Sequence, residues 1–318
     1  MIDRDGVEGK GGQACHVPVM VEEARQFLIT PHTRVIVDAT VGLGGHAEAL
    51  LAAAPAECLL IGVDLDDVAL GLAADRLAAF GERAVLMKMN FGDLADKLPP
   101  RLLGRVDAML VDCGISGLQI VSSDRGFSFD RDGVLDMRFD RSAGRTALSV
   151  LNTADLGRLT ELFRHFGEKR CAGKLARSIT AARERGELKS TLDLARAVKV
   201  VVARQPARSL ARVFLAIRAT VNDELENLTR LLDSLPDLLA SGGRVCTITY
   251  HSLEDRVVKT AFRRLSGKCV CPPGSVHCTC GVARVLKVLT PRPLEPRPEE
   301  ISANASARSA KMRVAEKM

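Results

Sequence analysis

Short apolar segments alternate with helical segments along the first third of the chain. The segments with the length and composition of buried parallel strands are residues 35–37 (VIV), 59–63 (LLIGV), 84–89 (AVLMKM) and 106–111 (VDAMLV). An Ala/Leu-rich stretch over residues 47–54 predicts a helix between the first two strands. Repeated strand–helix units with this spacing predict an α/β protein with a doubly wound parallel sheet and right-handed crossovers.

The pattern changes after residue 116. Residues 117–135 are polar and predict a loop, and a helical period follows, with Thr153 as the predicted N-cap of a helix and Gly167 as its end. Ser190 and Asp193 predict a capping box for a later helix. The other predicted helices span residues 175–185, 190–204 and 213–235, and the other predicted strands span residues 242–250, 283–289 and 311–315.

These elements predict a parallel sheet that is interrupted by an inserted α-helical domain. We expect residues 1–116 and 223–318 to form one discontinuous domain and residues 117–222 to form the insertion. The chain has 318 residues, of which 47% are hydrophobic, and this is enough to build a core for each unit.

Positive charge is concentrated in the predicted insertion. The net charge is +6, but residues 137–222 alone hold 18 Lys and Arg against 7 Asp and Glu. A solvated surface usually mixes both signs, so this excess favours an anionic partner such as RNA. Candidate phosphate contacts are Arg177, Arg183 and Arg185 on the second predicted helix. Aromatic residues make up only 3% of the chain, which argues against a broad platform for stacking bases.

The N-terminal segment and the cysteines bear on the compartment. Residues 1–13 are polar and acidic and predict neither a signal nor a transit peptide, and no apolar stretch approaches membrane-spanning length. The nine cysteines show no disulfide framework, so we expect a cytoplasmic protein. Four of them, Cys269, Cys271, Cys278 and Cys280, form two Cys-x-Cys pairs. Their spacing leaves a structural zinc site and an inert loop both open, and we assign no metal ligand.

The loop after the first strand carries the strongest ligand signal. Residues 42–46 (GLGGH) follow Asp38, and the second strand ends at Asp64. Glycines permit a ligand to approach the backbone, and an acid at the second strand end can accept both hydroxyls of a ribose. A tight turn without a ligand is the plain alternative. An NAD(P) site prefers a third glycine where this chain has Ala47, so S-adenosylmethionine fits better.

The carboxyl ends of the first four predicted strands meet at one edge of the sheet, where ligands of open α/β sheets bind. We expect Gly44 and Gly45 to admit the amino-acid portion of S-adenosylmethionine and Asp64 to bind the ribose. Phe91 offers a flat apolar wall for adenine. Asp112 is expected close to the methyl group that is transferred.

Six segments in this order resemble a known family, the bacterial 16S rRNA (cytosine(1402)-N(4))-methyltransferases. They are residues 42–46 (GLGGH), 125–129 (RGFSF), 135–138 (LDMR), 221–225 (VNDEL), 251–256 (HSLEDR) and 307–310 (ARSA), and the resemblance runs from His16 to the C-terminus. It implies a Rossmann-like class I methyltransferase sheet, S-adenosyl-L-methionine as methyl donor, and a cytidine of 16S rRNA in the small ribosomal subunit as substrate. DNA and membranes are not expected as partners, and a homodimer stays open.

The resemblance also implies which residues contact the cofactor. These are Gly44, Gly45, His46, Asp64, Phe91, Asp112 and Gln119, of which His46 and Gln119 rest on the resemblance alone. Two segments depart from the family pattern: DLGVSSPQLD is replaced by residues 112–121 (DCGISGLQIV), and HPATR by residues 208–212 (RSLAR). We expect the cofactor to bind despite both changes, whereas the sequence leaves open whether they alter the rate of methyl transfer or the fit of the RNA substrate.

The sequence identifies no catalytic base. Asp112, Ser116, His251 and the pair Glu254–Asp255 are candidate acceptors for the hydrogens of the cytosine amine. The plain alternative is that Ser252 caps a helix and that Glu254 and Asp255 occupy its first turn. Two other functions stay open: a non-catalytic RNA-binding or ribosome assembly factor that keeps the methyltransferase fold, and an NAD(P)-linked oxidoreductase.

Overall fold

The computed structural model describes residues 18–318 except Ala203, Gln205, Pro273 and Val276. Two predictions fall outside the described residues: the absence of a signal or transit peptide in residues 1–13, and His16 as the start of the family resemblance. The strands are β1 (Val35–Asp38), β2 (Leu59–Asp64), β3 (Ala84–Lys88), β4 (Val106–Asp112), β5 (Leu239–Thr249), β6 (Leu286–Val288) and β7 (Lys311–Lys317). The α-helices are α1 (Val21–Leu28), α2 (Gly45–Ala53), α3 (Asp67–Leu77), α4 (Leu94–Lys97), α5 (Gly117–Val121), α6 (Ala147–Thr153), α7 (Leu156–His165), α8 (Ala172–Glu184), α9 (Thr191–Val201), α10 (Pro206–Val221), α11 (Glu224–Leu238), α12 (Ser252–Leu265) and α13 (Pro298–Ala303).

The seven strands form one sheet in the order β3-β2-β1-β4-β5-β7-β6. Strands β1 to β5 are parallel, and β7 runs antiparallel to both β5 and β6. The α/β fold and all seven predicted strands are therefore confirmed. The strand order reverses between β1 and β4, where Val37 lies opposite Met109, and this switch point is where such sheets bind ligands.

Alternation along the strands supplies a core on each face of the sheet. Val37 and Met109 pack with α11 and α12 on one face, in a cluster that includes Leu231 and Phe262. The neighbouring residue Ile36 points to the other face, into a cluster with residues of α1, α2 and α3. Successive side chains of a strand point to opposite faces, so these apolar runs are buried on both sides.

Residues of α6 to α10 build a third apolar core. It contains Phe163 of α7, Ile179 of α8, Val198 of α9 and Phe214 of α10, all of which are buried. The predicted insertion thus has its own core, although the boundaries at residues 116 and 222 stay predictions.

The helix ends show which capping predictions hold. Ser190 and Asp193 form the predicted capping box, and Gly167, with φ of 99°, follows the end of α7. Thr153 is wrong as the N-cap of α7. It ends α6, where its hydroxyl donates to the carbonyl of Ser149, and Asp155 accepts the Arg158 N–H at 2.7 Å as the N-cap instead.

Two further predictions of local structure are wrong. The helix predicted over residues 213–235 is two helices, because the amide of Asn222 bonds to the backbone of Met137 and Phe139 and the following Asp223 has φ of 49°. The loop predicted over residues 117–135 begins with the short helix α5, which Ser116 and Gln119 stabilise through a capping box. In the described part of the chain, no helix has the length and apolar character to cross a membrane.

Candidate functional site

A cavity of about 560 Å³ opens at the carboxyl ends of β1, β2, β4 and β5. Pockets for cofactor-sized molecules typically measure roughly 300–1,000 Å³. Its floor comes from the sheet and its opposite wall from α10 and the loop that precedes α6. One space therefore touches both the sheet and the helical insertion.

Six of the seven predicted cofactor residues line this cavity, namely Gly45, His46, Asp64, Phe91, Asp112 and Gln119. Gly44 does not. With φ of 78° it ends the loop in a conformation that L side chains rarely adopt, and a Cβ there would lie 3.3 Å from Ala73 of α3. A Cβ on Gly45 would lie 3.0 Å from both Pro18 and Arg76. The positive φ thus favours glycine at position 44, and close packing of the loop favours glycine at both positions.

Asp64 braces the glycine loop. Its Oδ2 accepts the N–H of Gly42 at 2.9 Å, and its Oδ1 accepts the N–H groups of Leu65 and Asp66 at 2.8 and 3.0 Å. Burial raises the pKa of Asp64, and these three backbone bonds oppose that rise. A carboxylate has about four acceptor positions, so the three bonds leave room for a hydrogen bond from a ribose hydroxyl.

At the cavity floor the carboxyl of Asp112 faces Tyr250 through one oxygen and His46 through the other. Tyr250 Oη donates to Asp112 Oδ1 at 2.9 Å, and His46 Nδ1 lies 3.6 Å from Asp112 Oδ2. His46 Nε2 lies 2.8 Å from the carbonyl of Val19, which can only accept, so Nε2 carries the hydrogen and Nδ1 faces Asp112 as an acceptor. Burial lowers the pKa of His46, which keeps the ring neutral.

Two buried carboxyl groups at the ends of β1 and β4 resist ionisation, and of these Asp112 lines the cavity whereas Asp38 does not. Burial raises the pKa of Asp112 to about 7, an effect that Tyr250 partly opposes. Burial likewise raises the pKa of Asp38 to about 7. The Asp38 side chain is fully buried at the end of β1, and no described residue bonds to its Oδ2. The loop thus sits beside two acids that change charge near neutral pH.

Phe91 lies on a short 3-10 turn (Phe91–Asp93) that follows β3. Asn90 caps this turn by accepting the Gly92 N–H at 2.9 Å. Phe91 is half-buried and lines the cavity with Met89 and Leu228, which together make an apolar wall next to Asp64. A flat apolar surface beside an acid that can bind a ribose suits an adenosine group.

Gln119 ties the loop after β4 to the loop after β2. Its Oε1 accepts the Ser116 N–H at 3.1 Å, and its Nε2 donates to Asp66 Oδ2 at 2.8 Å. The same oxygen of Asp66 lies 2.7 Å from Nη1 of Arg125, in an ion pair whose side chains are 5% and 8% exposed. The altered segment 112–121 therefore keeps a defined shape, which its capping box and these bonds maintain.

Aromatic residues that the composition did not point to gather at the far side of the cavity. Phe127, Phe129, Phe139 and Phe214 line it, with Phe129 and Phe214 edge-to-face at 5.5 Å. Aromatic residues are scarce in the chain as a whole but concentrated in this cavity. They enclose space for one planar group and do not form a broad surface on which several bases could stack.

His251 and Glu254 reach the cavity but also cap α12. His251 is the N-cap and its Nε2 lies 2.9 Å from Glu254 Oε1, while Glu254 Oε2 accepts the Tyr250 N–H at 2.9 Å. Burial raises the pKa of Glu254, but His251 and the charge of Arg218 outweigh burial and lower it. Arg218 in turn forms a bidentate pair with Glu224 at 2.7 and 2.8 Å. Capping therefore accounts for both residues, but Ser252 is wrong as the N-cap, because His251 occupies that position and Ser252 is the first residue of α12.

Several parts of the site were not predicted, namely Tyr250, the ion pair of Asp66 with Arg125, and the four phenylalanines at the far side of the cavity. Arg125 stands in one of the segments that carry the family resemblance, and Tyr250 directly precedes another, at the end of β5. The position of Tyr250 at the end of β5 could have indicated its place in the site, because β5 is the neighbour of β4 in the sheet.

Comparison with known proteins agrees with this site. The sequence profile of the MraW methylase family matches residues 13–318. A protein of Carboxydothermus hydrogenoformans is 44% identical over 306 residues, which cover 95% of this chain and 98% of that protein. Proteins of Syntrophobacter fumaroxidans (41%) and Solidesulfovibrio magneticus (42%) match over 95% and 96% of this chain and 96% and 97% of their own lengths.

All three relatives are named Ribosomal RNA small subunit methyltransferase H. These matches confirm the predicted family resemblance, and with it the methyltransferase class and S-adenosylmethionine as the methyl donor. They argue against the NAD(P)-linked oxidoreductase. The cavity fits this donor, because it joins an apolar wall, an acid with acceptor capacity and a glycine loop within one space of suitable volume.

Proposed function

Because this chain belongs to the MraW methylase family, we propose that it methylates N4 of one cytidine, at position 1402, in the 16S rRNA of the small ribosomal subunit, in the cytoplasm. The names of relatives at 41–44% identity support ribosomal RNA as the substrate class. The observation that carries the proposal is the shared cavity, in which the strand ends face an aromatic wall supplied by the helical insertion.

We assign the cofactor to the sheet side of this cavity. Gly44, Gly45 and His46 shape the loop at the amino-acid portion, Asp64 accepts a ribose hydroxyl, and Phe91 packs against adenine. Gln119 acts by holding the loop after β4 in place, since both ends of its amide are already bonded. Residues 1–116 and 223–318 would then bind the donor, and residues 117–222 the RNA.

We assign the proton acceptor to Asp112. Bound S-adenosylmethionine supplies the methyl group. The cytosine amine is conjugated with its ring and is a weak nucleophile, so it needs close placement and an acceptor for its hydrogen. Oδ1 of Asp112 accepts from Tyr250, and Oδ2 is left for the amine, because His46 Nδ1 at 3.6 Å is an acceptor and forms no hydrogen bond to it. As the N4–methyl bond forms and the sulfur–methyl bond breaks, the nitrogen loses one proton, and Asp112 accepts it because its pKa lies at about 7.

We assign the target base to the aromatic side. A base must leave its stack to reach an enclosed site, and planar side chains offset part of the stacking that it loses. Phe129, Phe139 and Phe214 supply such surfaces within the cavity. Their place on the insertion puts an RNA-binding element directly against the reacting atoms.

We look for the phosphate contacts on α10 rather than at all three predicted arginines, of which Arg177 and Arg183 lie on α8 and Arg185 directly follows it. Arg183 donates to the carbonyls of Leu151 and Ala154 at 2.9 and 2.8 Å, so it holds the end of α6 in place. Arg208 is exposed and lies three residues before Ala211, which lines the cavity. Positions three and four apart share a helix face, so Arg208 extends the cavity-lining face towards solvent.

The test is transfer of labelled methyl to small ribosomal subunits that lack the modification, followed by mass spectrometry of the nucleosides. N4-methylcytidine at one position supports the proposal, and label on DNA, on protein or at carbon 5 of cytosine contradicts it. Tight cofactor binding without any transfer to subunits or to free 16S rRNA would identify a non-catalytic assembly factor. An Asp112→Asn protein serves as the matched control, because asparagine still accepts from Tyr250 but carries no charge.

A further inference from the structure

Four cysteines outside the cavity converge in the loop between α12 and β6. The Sγ atoms of Cys269, Cys271, Cys278 and Cys280 all lie within 4.8 Å of one another. Cys278 lies 3.4 Å from Cys280 and 3.7 Å from Cys269, and Cys269 lies 3.7 Å from Cys280. Residues nine to eleven positions apart have thus been brought into one compact cluster.

These distances match a metal tetrahedron. A Zn–S bond of about 2.3 Å gives an edge of about 3.8 Å between sulfurs at tetrahedral angles. A disulfide needs sulfurs about 2.05 Å apart, so the observed separations are too long for a bond between any of the three pairs. Four soft thiolates in this arrangement select zinc over magnesium or calcium, which prefer oxygen ligands.

Backbone donors also point at the sulfurs. The N–H of Val270 donates to Cys280 Sγ and the N–H of Thr279 donates to Cys271 Sγ, each at 3.4 Å. Four thiolates around Zn²⁺ leave two negative charges in excess, and N–H donors stabilise such charge. Lys268 adds positive charge on the same loop, and the Arg264 guanidinium at the end of α12 ties the loop down by donating to the Gly281 carbonyl while it pairs with Asp233.

The loop has little else to hold it. No described side chain between residues 266 and 285 is buried, and among them only the half-buried Val285, at the base of the loop next to β6, packs against an apolar core. Its base is closed by the bonds from Gly267 N to Ala283 O at 2.9 Å and from Ala283 N to Arg264 O at 3.2 Å. A segment without a core needs another cross-link to keep one shape, and a structural metal supplies it.

We propose that these four cysteines bind one structural Zn²⁺. All four positions of the tetrahedron are filled by protein, which leaves none for water or substrate, and none of the four residues lines the cavity. The ion stabilises the loop next to β6 at the sheet edge and takes no part in methyl transfer.

The full-length protein, produced with zinc in the medium and purified without chelator, should contain about one zinc per chain by elemental analysis. Cys269→Ser and Cys278→Ser should each lose most of it. Cys171→Ser is the matched control and should retain the zinc, because Cys171 lies in the insertion outside the cluster. Refolding with Co²⁺ should give the thiolate-to-cobalt charge-transfer band and the strong visible bands of a tetrahedral sulfur site.

The wild-type measurements keep the proposal refutable even where a serine variant fails to fold. Native wild-type protein that contains no zinc and whose four thiols all react with an alkylating reagent would refute the proposal and indicate an inert loop. A disulfide between two of the four cysteines, detected by mass spectrometry, would also refute it, because the loop would then be cross-linked by oxidation and not by a metal. Iron at one atom per chain in place of zinc would also overturn the assignment. Each result is independent of methyltransferase activity, so failure of the zinc site and failure of the proposed function are distinguishable.

Discussion

Replacing Asp112 with asparagine should stabilise the protein at alkaline pH while removing its activity. Burial raises the pKa of this carboxyl from 3.8 to about 7. Between these values the folded state keeps a proton that the unfolded chain releases, so stability falls as the pH rises. Each pKa unit corresponds to about 1.36 kcal/mol, so Asp112 costs wild type about 2.5 kcal/mol between pH 5 and pH 8. Asparagine is neutral throughout and avoids this loss.

The assay is urea unfolding of both proteins at pH 5 and pH 8, followed by far-UV circular dichroism because the chain has no tryptophan. The unfolding free energy of Asp112→Asn, relative to wild type, should rise by about 2.5 kcal/mol from pH 5 to pH 8. Asp75→Asn alters an exposed carboxyl of α3 and should show no such pH dependence. A difference between Asp112→Asn and wild type that is equal at both pH values would refute the reasoning.

The same variant tests the proposed catalytic role. Wild-type methyl transfer should increase as the pH rises through about 7, because ionised Asp112 accepts the proton. Asp112→Asn should be slower by about 10²–10⁴-fold, the usual range for loss of a general base, and should lose this pH dependence. Greater stability with lower activity would separate the loss of the charge from misfolding. An unchanged pH profile in the variant would transfer the role to another group.

Three further predictions address binding of the cofactor, binding of the RNA, and the buried ion pair of Asp66 with Arg125 that links the two sides of the cavity. Asp64→Ala should weaken S-adenosylmethionine binding by about 1.5–3 kcal/mol in calorimetry, the value of one hydrogen bond to a charged group, and NADH should not bind; unchanged affinity contradicts this. Arg208→Glu should weaken binding of 16S rRNA and reduce the salt dependence of that binding, while the affinity for the cofactor stays unchanged. The control is Arg101→Glu, which alters an exposed arginine just before β4, at the amino ends of the strands and away from the cavity, and should leave RNA binding unchanged. Arg125→Ala leaves Asp66 buried without its cation and should lower the unfolding free energy by about 3–5 kcal/mol in urea titrations; a loss below 1 kcal/mol would show the pair to be dispensable.

The sheet and its ligand edge were predictable because their signals are local. A β-branched run, a glycine loop and an acid at the next strand end lie within thirty residues of one another, and parallel pairing brings them to one edge whatever the rest of the chain does. Asp64, Phe91 and Asp112 therefore lie where the pattern indicated. The strands β1 to β4 were found for the same reason, since each is a short and largely apolar segment bounded by polar or turn residues.

The remainder of the site depends on contacts between distant residues. Tyr250 bonds to Asp112 across 138 positions, and Arg125 pairs with Asp66 across 59, and nothing in either local sequence encodes the partner. The break between α10 and α11 is of the same kind. Helical periodicity continues through residue 222, but Asn222 bonds to a loop 83 and 85 residues earlier, and this tertiary contact ends the helix.

The buried link between Asp66 and Arg125 has a consequence for how the two binding sites interact. Asp66 caps α3 next to Asp64, and it also accepts from Gln119 and from Arg125, whose side chain bonds to the carbonyls of Arg138 and Phe139. The loop after Asp64, the proposed ribose ligand, is therefore joined by hydrogen bonds to the loop that carries part of the aromatic wall. We expect the proposed division, with the cofactor on one domain and RNA on the other, to apply to surface charges such as Arg208 but not to these shared residues. Changes in the Asp66–Arg125 pair should alter cofactor affinity and RNA methylation together, because one hydrogen-bonded network positions both sides of the cavity.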